Sequence, residues 1–308
     1  MLARLRSPNL VPMLAVALFI AALYYPLMLI ANIPAAQRAL DTGAALPCKT
    51  AFECATQLRS PVLPSPQQLW NGFRNLMFPL NSPNAIPLNA AVTALETIVG
   101  LLLAAVVGFF FAIGIVASRA FERSLLPWIV ASQTVPVIAI APMLVVLLGQ
   151  YGVQGWIPKA IIAAYIAFFP IAIGVAKGLK SPDPLSLDLM KTYNANNWQT
   201  YLMLRFPASI PYLFTAFKVA MTAALIGAIV AEISTISFQG IGKMLAENSR
   251  ASDVVAMWVI MLSSAVLGIL LVALVNWTER LVTPWQRAKV AAMPVLKQAR
   301  VSKQEGVS

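Results

Sequence analysis

The sequence contains no histidine, and its two cysteines, Cys48 and Cys54, do not have C-x-x-C spacing. The chain therefore lacks the commonest metal ligand and general base, and it has no zinc or redox motif. A phosphate-binding loop is also missing, because Gly240-Ile241-Gly242-Lys243 is followed by Met244 where Ser or Thr is required. These absences predict that the chain is not an enzyme, needs no cofactor or metal, and binds no nucleotide itself.

Charge is scarce as well, at 11% of residues, whereas 59% of residues are hydrophobic and the mean hydropathy is +0.78. A soluble core and surface cannot accommodate that composition, which indicates an integral membrane protein. The net charge of +11 does not indicate nucleic-acid binding, because Lys and Arg flank apolar runs instead of forming a basic, aromatic patch.

Apolar runs of the length that crosses a bilayer, about 20 residues, recur along the chain. They cover Leu10–Ile30, Ile98–Ala117, Leu125–Gly149, Ala160–Ala176, Tyr212–Ala231 and Val254–Thr278. The first could instead belong to a cleaved signal peptide, although the apolar core of such a peptide has only about 7 to 15 residues. The sequence predicts an all-α, polytopic membrane helix bundle of about six transmembrane helices.

Basic residues in the short loops predict the orientation of the bundle. They are Arg119, Arg123, Lys177, Lys180, Lys191 and Arg205, and a basic C-terminal tail follows the last run. Both termini are therefore expected in the cytoplasm, with an N-terminal transmembrane helix in 1–31, a periplasmic loop in 32–89, a membrane core in 90–280 and a cytoplasmic tail in 281–308. Cys48 and Cys54 fall in the periplasmic loop, where they form either a disulfide or two unpaired thiols.

The polar interval Lys177–Pro211, called here the 177–211 segment, has helical periodicity of its own. Leu185 and Leu189 lie four apart, and Trp198, Leu202 and Phe206 continue at intervals of four. We expect two short amphipathic helices. Asp188 either acts near the start of the first, where a carboxylate suits the positive end of the helix dipole, or is a solvated charge. Asn194 is expected in the left-handed conformation between them, and Pro207 and Pro211 are expected to stop or kink the second. The pattern predicts a cytoplasmic docking surface for another protein.

Polar residues within and beside the apolar runs can each be interpreted in two ways. Ser132, Gln133 and Thr134, close to Pro136, either line a translocation path or form hydrogen bonds between helices. Glu96, Glu232 and Lys218 either serve an ion relay or, as we favour from their positions near the ends of runs, anchor helices and bond them together. Small residues spaced by four predict close helix packing. They are Ala104, Gly108, Ala112, Gly174, Gly178, Ala223, Gly227 and Ala231.

The 177–211 segment resembles the cytoplasmic "EAA" loop of binding-protein-dependent ABC import permeases. That loop has Glu-Ala-Ala, three residues, Gly, nine residues and Ile-x-Leu-Pro. The spacing is reproduced by Asp188-Leu189-Met190, Asn194 and Leu204-Arg205-Phe206-Pro207, although only Pro207 is identical. The resemblance implies that these residues, with Trp198 and Leu202, couple the chain to an ATPase.

Further stretches are similar to the permease branch that serves nitrate, sulfonates, taurine, bicarbonate and vitamin precursors. They are Gln133–Pro142, Phe168–Ile171, Trp198–Thr200 and Gly227–Glu232. The similarity extends from about Thr93 to Arg280, and in that branch the region of Ser237 to Gly242 is a partly re-entrant gate element.

The resemblance implies a bacterial inner-membrane importer subunit with three protein partners. These are a cytoplasmic ABC ATPase that hydrolyses ATP, a second permease copy forming a homodimer or heterodimer, and a periplasmic substrate-binding protein. Spans without a central Arg or Lys favour a neutral or aromatic solute such as a vitamin precursor. The alternative is a secondary transporter or channel without an ATPase, which would need a midplane ion site or internal repeats.

Overall fold

The structure is a computed structural model that describes residues 10–42, 48–58, 60–80, 82–234 and 239–284. All regular structure in these residues is helical, which confirms the all-α prediction. The helices are α1 (Leu10–Asp41), α2 (Ala51–Ala55), α3 (Pro66–Met77), α4 (Ile86–Ala117), α5 (Arg119–Ser132), α6 (Val137–Gln150), α7 (Ile157–Leu179), α8 (Pro184–Thr192), α9 (Asn197–Thr200), α10 (Phe206–Ser234), α11 (Ile241–Arg250) and α12 (Val254–Val282). A π-helical turn, Tyr201–Arg205, joins α9 to α10. Arg4, Arg6, Ser237, Phe238 and most of the basic tail lie outside the described residues.

Four helices of the described chain are long and apolar enough to cross a membrane. They are α4, α7, α12 and the continuous helix Asn197–Ser234. The third apolar run, whose prolines permit a bend, is divided between two helices. Helices α5 and α6 satisfy the same criterion only as a pair, and they meet at an angle of 92°. Pro136 lies at this break, where it lacks an N–H and disfavours helix at the preceding residue. Up to five spans are thus described, and the count of six, including α1, stays a prediction.

One compact unit contains the described part of Met1–Asn89 together with Met244–Ser264. Its first helix continues to Asp41, beyond the end predicted at Ile30. Asn32 of α1 is fully buried, and its amide donates to the carbonyls of Ala55 and Leu63 at 3.0 and 2.8 Å. The Asn32 carbonyl oxygen accepts from the N–H groups of Val62 and Leu63, so one side chain fixes the chain after α2 against α1. Cys48 and Cys54 form a disulfide in this unit.

The second unit contains Ala90–Lys243 and the described part of Ala265–Ser308. Helix α7 is packed closely on both α4 and α10 through the small residues that the sequence singled out. A Cβ added to Gly108 of α4 would lie 2.9 Å from Ile171 of α7, and one on Gly174 of α7 would lie 2.5 Å from Ala216 of α10. Gly227 of α10 approaches Ala163 of α7 equally closely. The ladders of small residues therefore pack helices of the same chain together.

Candidate functional site

Short-range hydrogen bonds at the ends of its helices stabilise the conformation of the 177–211 segment. Asp183 caps α8, and Pro184 occupies the first helical position. Asn194 follows the helix at φ 52°, the left-handed conformation expected for it, while its N–H donates to the Lys191 carbonyl and that of Ala195 to the Met190 carbonyl. These two bonds form a Schellman motif. A capping box between Asn196 and Gln199 then starts α9.

The second helix of the segment, which begins with α9, is not short as predicted. α9 runs through the π-helical turn into α10, so Pro207 and Pro211 lie inside a continuous helix and do not stop it. The N–H of Phe206 bonds to the carbonyl of Tyr201, five residues back, directly before Pro207, which has no N–H to offer. The wider turn thus lets the helix continue past a proline.

The π-helical turn also changes which side chains share a face. Trp198 is 70% exposed, and Leu202 and Met203 are exposed beside it. Phe206, predicted on the same face, is 39% exposed and packs edge-to-face on Phe109 of α4 with 6.0 Å between ring centroids. The extra residue in the turn shifts the helical phase, so Met203 continues the exposed side and Phe206 turns towards α4.

Asp188 and Arg205 are charged residues of the segment with different contacts. Asp188 lies in the middle of α8, not near its start, and forms an exposed ion pair with Lys191 at 2.8 Å. Arg205 donates to the carbonyl of Leu179 at the end of α7 and lies over the Tyr201 ring. Leu204, half-buried, and the exposed Pro207 complete the resembled motif. Arg205 therefore links the π-helical turn after α9 to the end of α7, the helix that precedes α8.

A buried polar network lies at the start of α7 and the end of α10. These ends of the two helices are opposite to those that join the 177–211 segment. Glu232, at the last turn of α10, accepts from the Thr93 hydroxyl of α4 at 2.7 Å and from the Gly242 N–H of α11 at 2.6 Å. Thr93 in turn accepts from the Ile241 N–H at 2.9 Å. Two of the orphan N–H groups at the start of α11 are thereby satisfied by side chains of α4 and α10.

Glu96 and Lys159 extend this network to α7 through a buried ion pair of 2.9 Å. Lys159, which directly precedes the fourth apolar run in the sequence, lies in the first turn of α7 and is buried. Lys218 of α10 pairs with Glu279 of α12 at 2.6 Å. Glu96 and Glu232 are buried, and their bonds join α4, α7, α10 and α11, as the favoured interpretation expects.

The polar residues of the third run lie at the break between α5 and α6. The Ser132 hydroxyl donates to the Ile129 carbonyl and the Thr134 hydroxyl to the Ala131 carbonyl, so both are satisfied locally. The Ser132 carbonyl accepts from the Tyr165 hydroxyl of α7. Gln133 is half-buried, and Thr134 and Pro136 are exposed.

The chain is similar to known permeases over about three fifths of its length. Residues 104–288 match the family described as the binding-protein-dependent transport system inner membrane component. A probable ABC transporter permease protein of Haemophilus influenzae is 33% identical over 186 residues, which cover 60% of this chain and 74% of that protein.

Two relatives have names that include a solute. Formylaminopyrimidine transport permease protein ThiX of Halalkalibacterium halodurans is 30% identical over 61% of this chain and 74% of its own. The riboflavin transport system permease protein RibX of Chloroflexus aurantiacus is 28% identical over 54% of this chain and 61% of its own. Since the family pattern matches more than half of its residues, the chain belongs to the binding-protein-dependent transport system inner membrane components: it is a multi-pass ABC transporter permease and not an enzyme.

Proposed function

We propose that this chain forms half of the transmembrane path of an importer for a small solute, and that a separate ATPase docks on the 177–211 segment and drives it. The observation that carries the proposal is a cluster of large apolar side chains exposed on a short, capped element. They are Leu185, Leu189, Tyr193, Trp198, Leu202 and Met203. Burying such a side chain in a partner's groove contributes about 1.5 to 3 kcal/mol.

The anchoring of the segment suits it to transmit movement. Arg205 joins the π-helical turn after α9 to the end of α7, and Lys180 at that end pairs with Glu122 of α5 at 2.6 Å. A force applied to α8 or α9 would therefore reach α5, α7 and α10 together. The network of Glu232 and Thr93 lies at the far ends of α7 and α10, where it fixes the start of α11.

The break between α5 and α6 supports a place for the path. Irregular backbone at membrane depth is tolerated only where protein covers it or where it lines a water-filled cavity. We therefore propose that Ser132, Gln133, Thr134 and Pro136 line the path, with a second permease copy facing them across a two-fold axis.

The solute is proposed to be neutral or aromatic. Lys159 and Lys218 are paired with carboxylates, so neither offers the spare positive charge that would hold an anion. The formylaminopyrimidine and riboflavin permeases among the relatives agree with a vitamin precursor. A substrate-binding protein outside the bilayer would deliver it, and both termini would lie in the cytoplasm with the ATPase.

Substitution of Trp198 tests the docking site. Trp198→Ala should reach the membrane in normal amounts, yet lose up to about a hundredfold in affinity for the ATPase and lose uptake. Trp128→Ala is the matched control, because Trp128 of α5 is similarly exposed but lies outside the 177–211 segment. The measurement is co-purification of the ATPase at equal permease abundance, and a Trp198→Ala chain that retains the ATPase as Trp128→Ala does would refute the docking site.

A further inference from the structure

Helix α3 has two chemically distinct sides. Pro66 and the capping box of Ser65 and Gln68 start it cleanly. With about 100° per residue, the apolar side chains cover one side of the helix and the polar ones the other. The apolar side consists of Leu69, Trp70, Phe73, Leu76 and Met77, and the polar side of Gln67, Gln68, Asn71, Arg74 and Asn75.

The depth of α3 follows from its contact with a membrane-spanning helix. Gly72 packs on Val255 and Val259, since an added Cβ would lie 3.2 Å from a methyl of each. These residues belong to the first two turns of α12, whose apolar sequence begins at Val254 after Asp253. Helix α3 therefore lies at the level where α12 enters the hydrocarbon.

Trp70 points away from α12 at this level. It is two residues from Gly72, which places it roughly 200° around the helix. Its side chain is 61% exposed and stacks on Phe73 with ring centroids 6.2 Å apart. Leu69, Phe73, Leu76 and Met77 are half-buried, so Trp70 forms the outer edge of the apolar side.

The polar side of α3 carries a single charge, which is positive. Arg74 lies with Asn71, Asn75 and Phe78 around an open groove of about 590 Å³. No acidic residue occurs in the helix. A cation and two amides at the boundary of a bilayer complement the phosphate layer of lipids.

We propose that α3 is an interfacial helix whose partner is the phospholipid surface itself. Trp70 lies at the boundary between acyl chains and head groups, as tryptophans in membrane proteins commonly do, and Arg74 faces the phosphates. The lipid is favoured over a protein partner because the exposed Trp70 lies at the level where α12 begins its apolar sequence, and because Arg74 complements the charge of lipid phosphates. Residues 66–77 are thus an anchor in the bilayer and not a water-exposed part of the 32–89 loop.

Quenching of individual tryptophans tests this placement in the full chain reconstituted in lipid nanodiscs. The contribution of Trp70 is the difference between the wild type and Trp70→Phe, and the same difference for Trp198→Phe provides a control of similar exposure in the 177–211 segment. Lipids brominated in the upper part of the acyl chain should remove most of the Trp70 emission, whereas aqueous iodide should leave it. The Trp198 emission should show the reverse.

Two results would overturn the proposal. Trp70 emission that responds to iodide and not to brominated lipid would place α3 in water. Protection from iodide that requires an added substrate-binding protein would make this edge a protein-docking surface. If Trp70→Phe does not accumulate, labelling with a membrane-impermeant maleimide decides: Asn71→Cys should react and Trp70→Cys should not, and equal reaction of both would contradict the placement.

Discussion

Glu232 and Glu96 are carboxylates buried in a membrane bundle, and Lys159 forms a buried ion pair with Glu96. Removing one partner of a buried ion pair leaves an uncompensated charge, which costs about 3 to 5 kcal/mol. We therefore expect Lys159→Met to lower the free energy of unfolding by that amount, measured as the denaturant dependence of unfolding in detergent.

An exposed pair provides the comparison. Lys191→Met breaks the ion pair with Asp188 on the surface of α8, where such pairs contribute less than about 1 kcal/mol. The second change Glu96→Gln, added to Lys159→Met, should recover part of the loss because it removes the unpaired charge. Equal stability of the Lys159→Met and Lys191→Met chains would show that the buried pair does not hold the bundle together.

Substitution of Gly242 tests how closely the start of α11 packs against α10. A Cβ there would lie 2.4 Å from the Ile229 carbonyl oxygen, which belongs to helical backbone and cannot rotate away. Gly242→Ala should therefore lower the thermal midpoint and break the bond to Glu232. Gly149→Ala, in α6, has no atom within 4 Å of the new methyl and should be neutral or stabilising by up to about 1 kcal/mol. A Gly242→Ala chain as stable as Gly149→Ala would contradict this packing.

At the level of helices, we predict that water reaches the break between α5 and α6. If it lines the path, Thr134→Cys should react with a membrane-impermeant thiol reagent in assembled transporter. Val146→Cys, on an exposed part of α6, should stay unreactive because lipid or protein covers it. The rates of labelling are compared in membranes, and a Thr134→Cys chain no more reactive than Val146→Cys would exclude the break from the path.

Residue type and spacing predicted those helices and turns that depend on interactions between residues close together in the sequence. The left-handed Asn194 and the short helix α8 before it follow from residue type and spacing, and the small-residue ladders predicted close packing. The capping box of Ser65 and Gln68, with Pro66 at the first helical position, is an equally local signal for α3. The π-helical turn was not predicted, because Pro207 indicated a stop or a kink, whereas the turn lets the helix continue past this proline.

Buried charges depend on contacts far apart in the sequence. Lys159 sits at the edge of an apolar run, a position shared by ordinary loop lysines that orient spans. Its partner, Glu96, is 63 positions away. Glu232 likewise bonds to Thr93, 139 positions away, so no spacing rule relates these residues. The role of such groups becomes visible only once the helices are placed.

For the whole molecule, orientation in the membrane is the prediction on which the partners depend. Reporters fused after Arg119, at Asn196 and after Arg287 should be cytoplasmic, and one at Ser60 should be periplasmic. The disulfide of Cys48 and Cys54 agrees with this orientation, since disulfides persist in oxidising compartments. A cytoplasmic Ser60 reporter would invert the topology and place the 177–211 segment away from any ATPase.

The central claim is that the exposed apolar side chains of the 177–211 segment contact an ATPase. Photo-crosslinking amino acids placed at Leu185 or Trp198 in cells test it most directly, with the same residue at Trp70 as the control on a different surface. We expect the Leu185 and Trp198 probes to yield one crosslinked product each, containing a nucleotide-binding chain, and the Trp70 probe to yield none with that chain. Probes at Leu185 and Trp198 that crosslink no nucleotide-binding chain, in cells that take up the solute, would contradict the account.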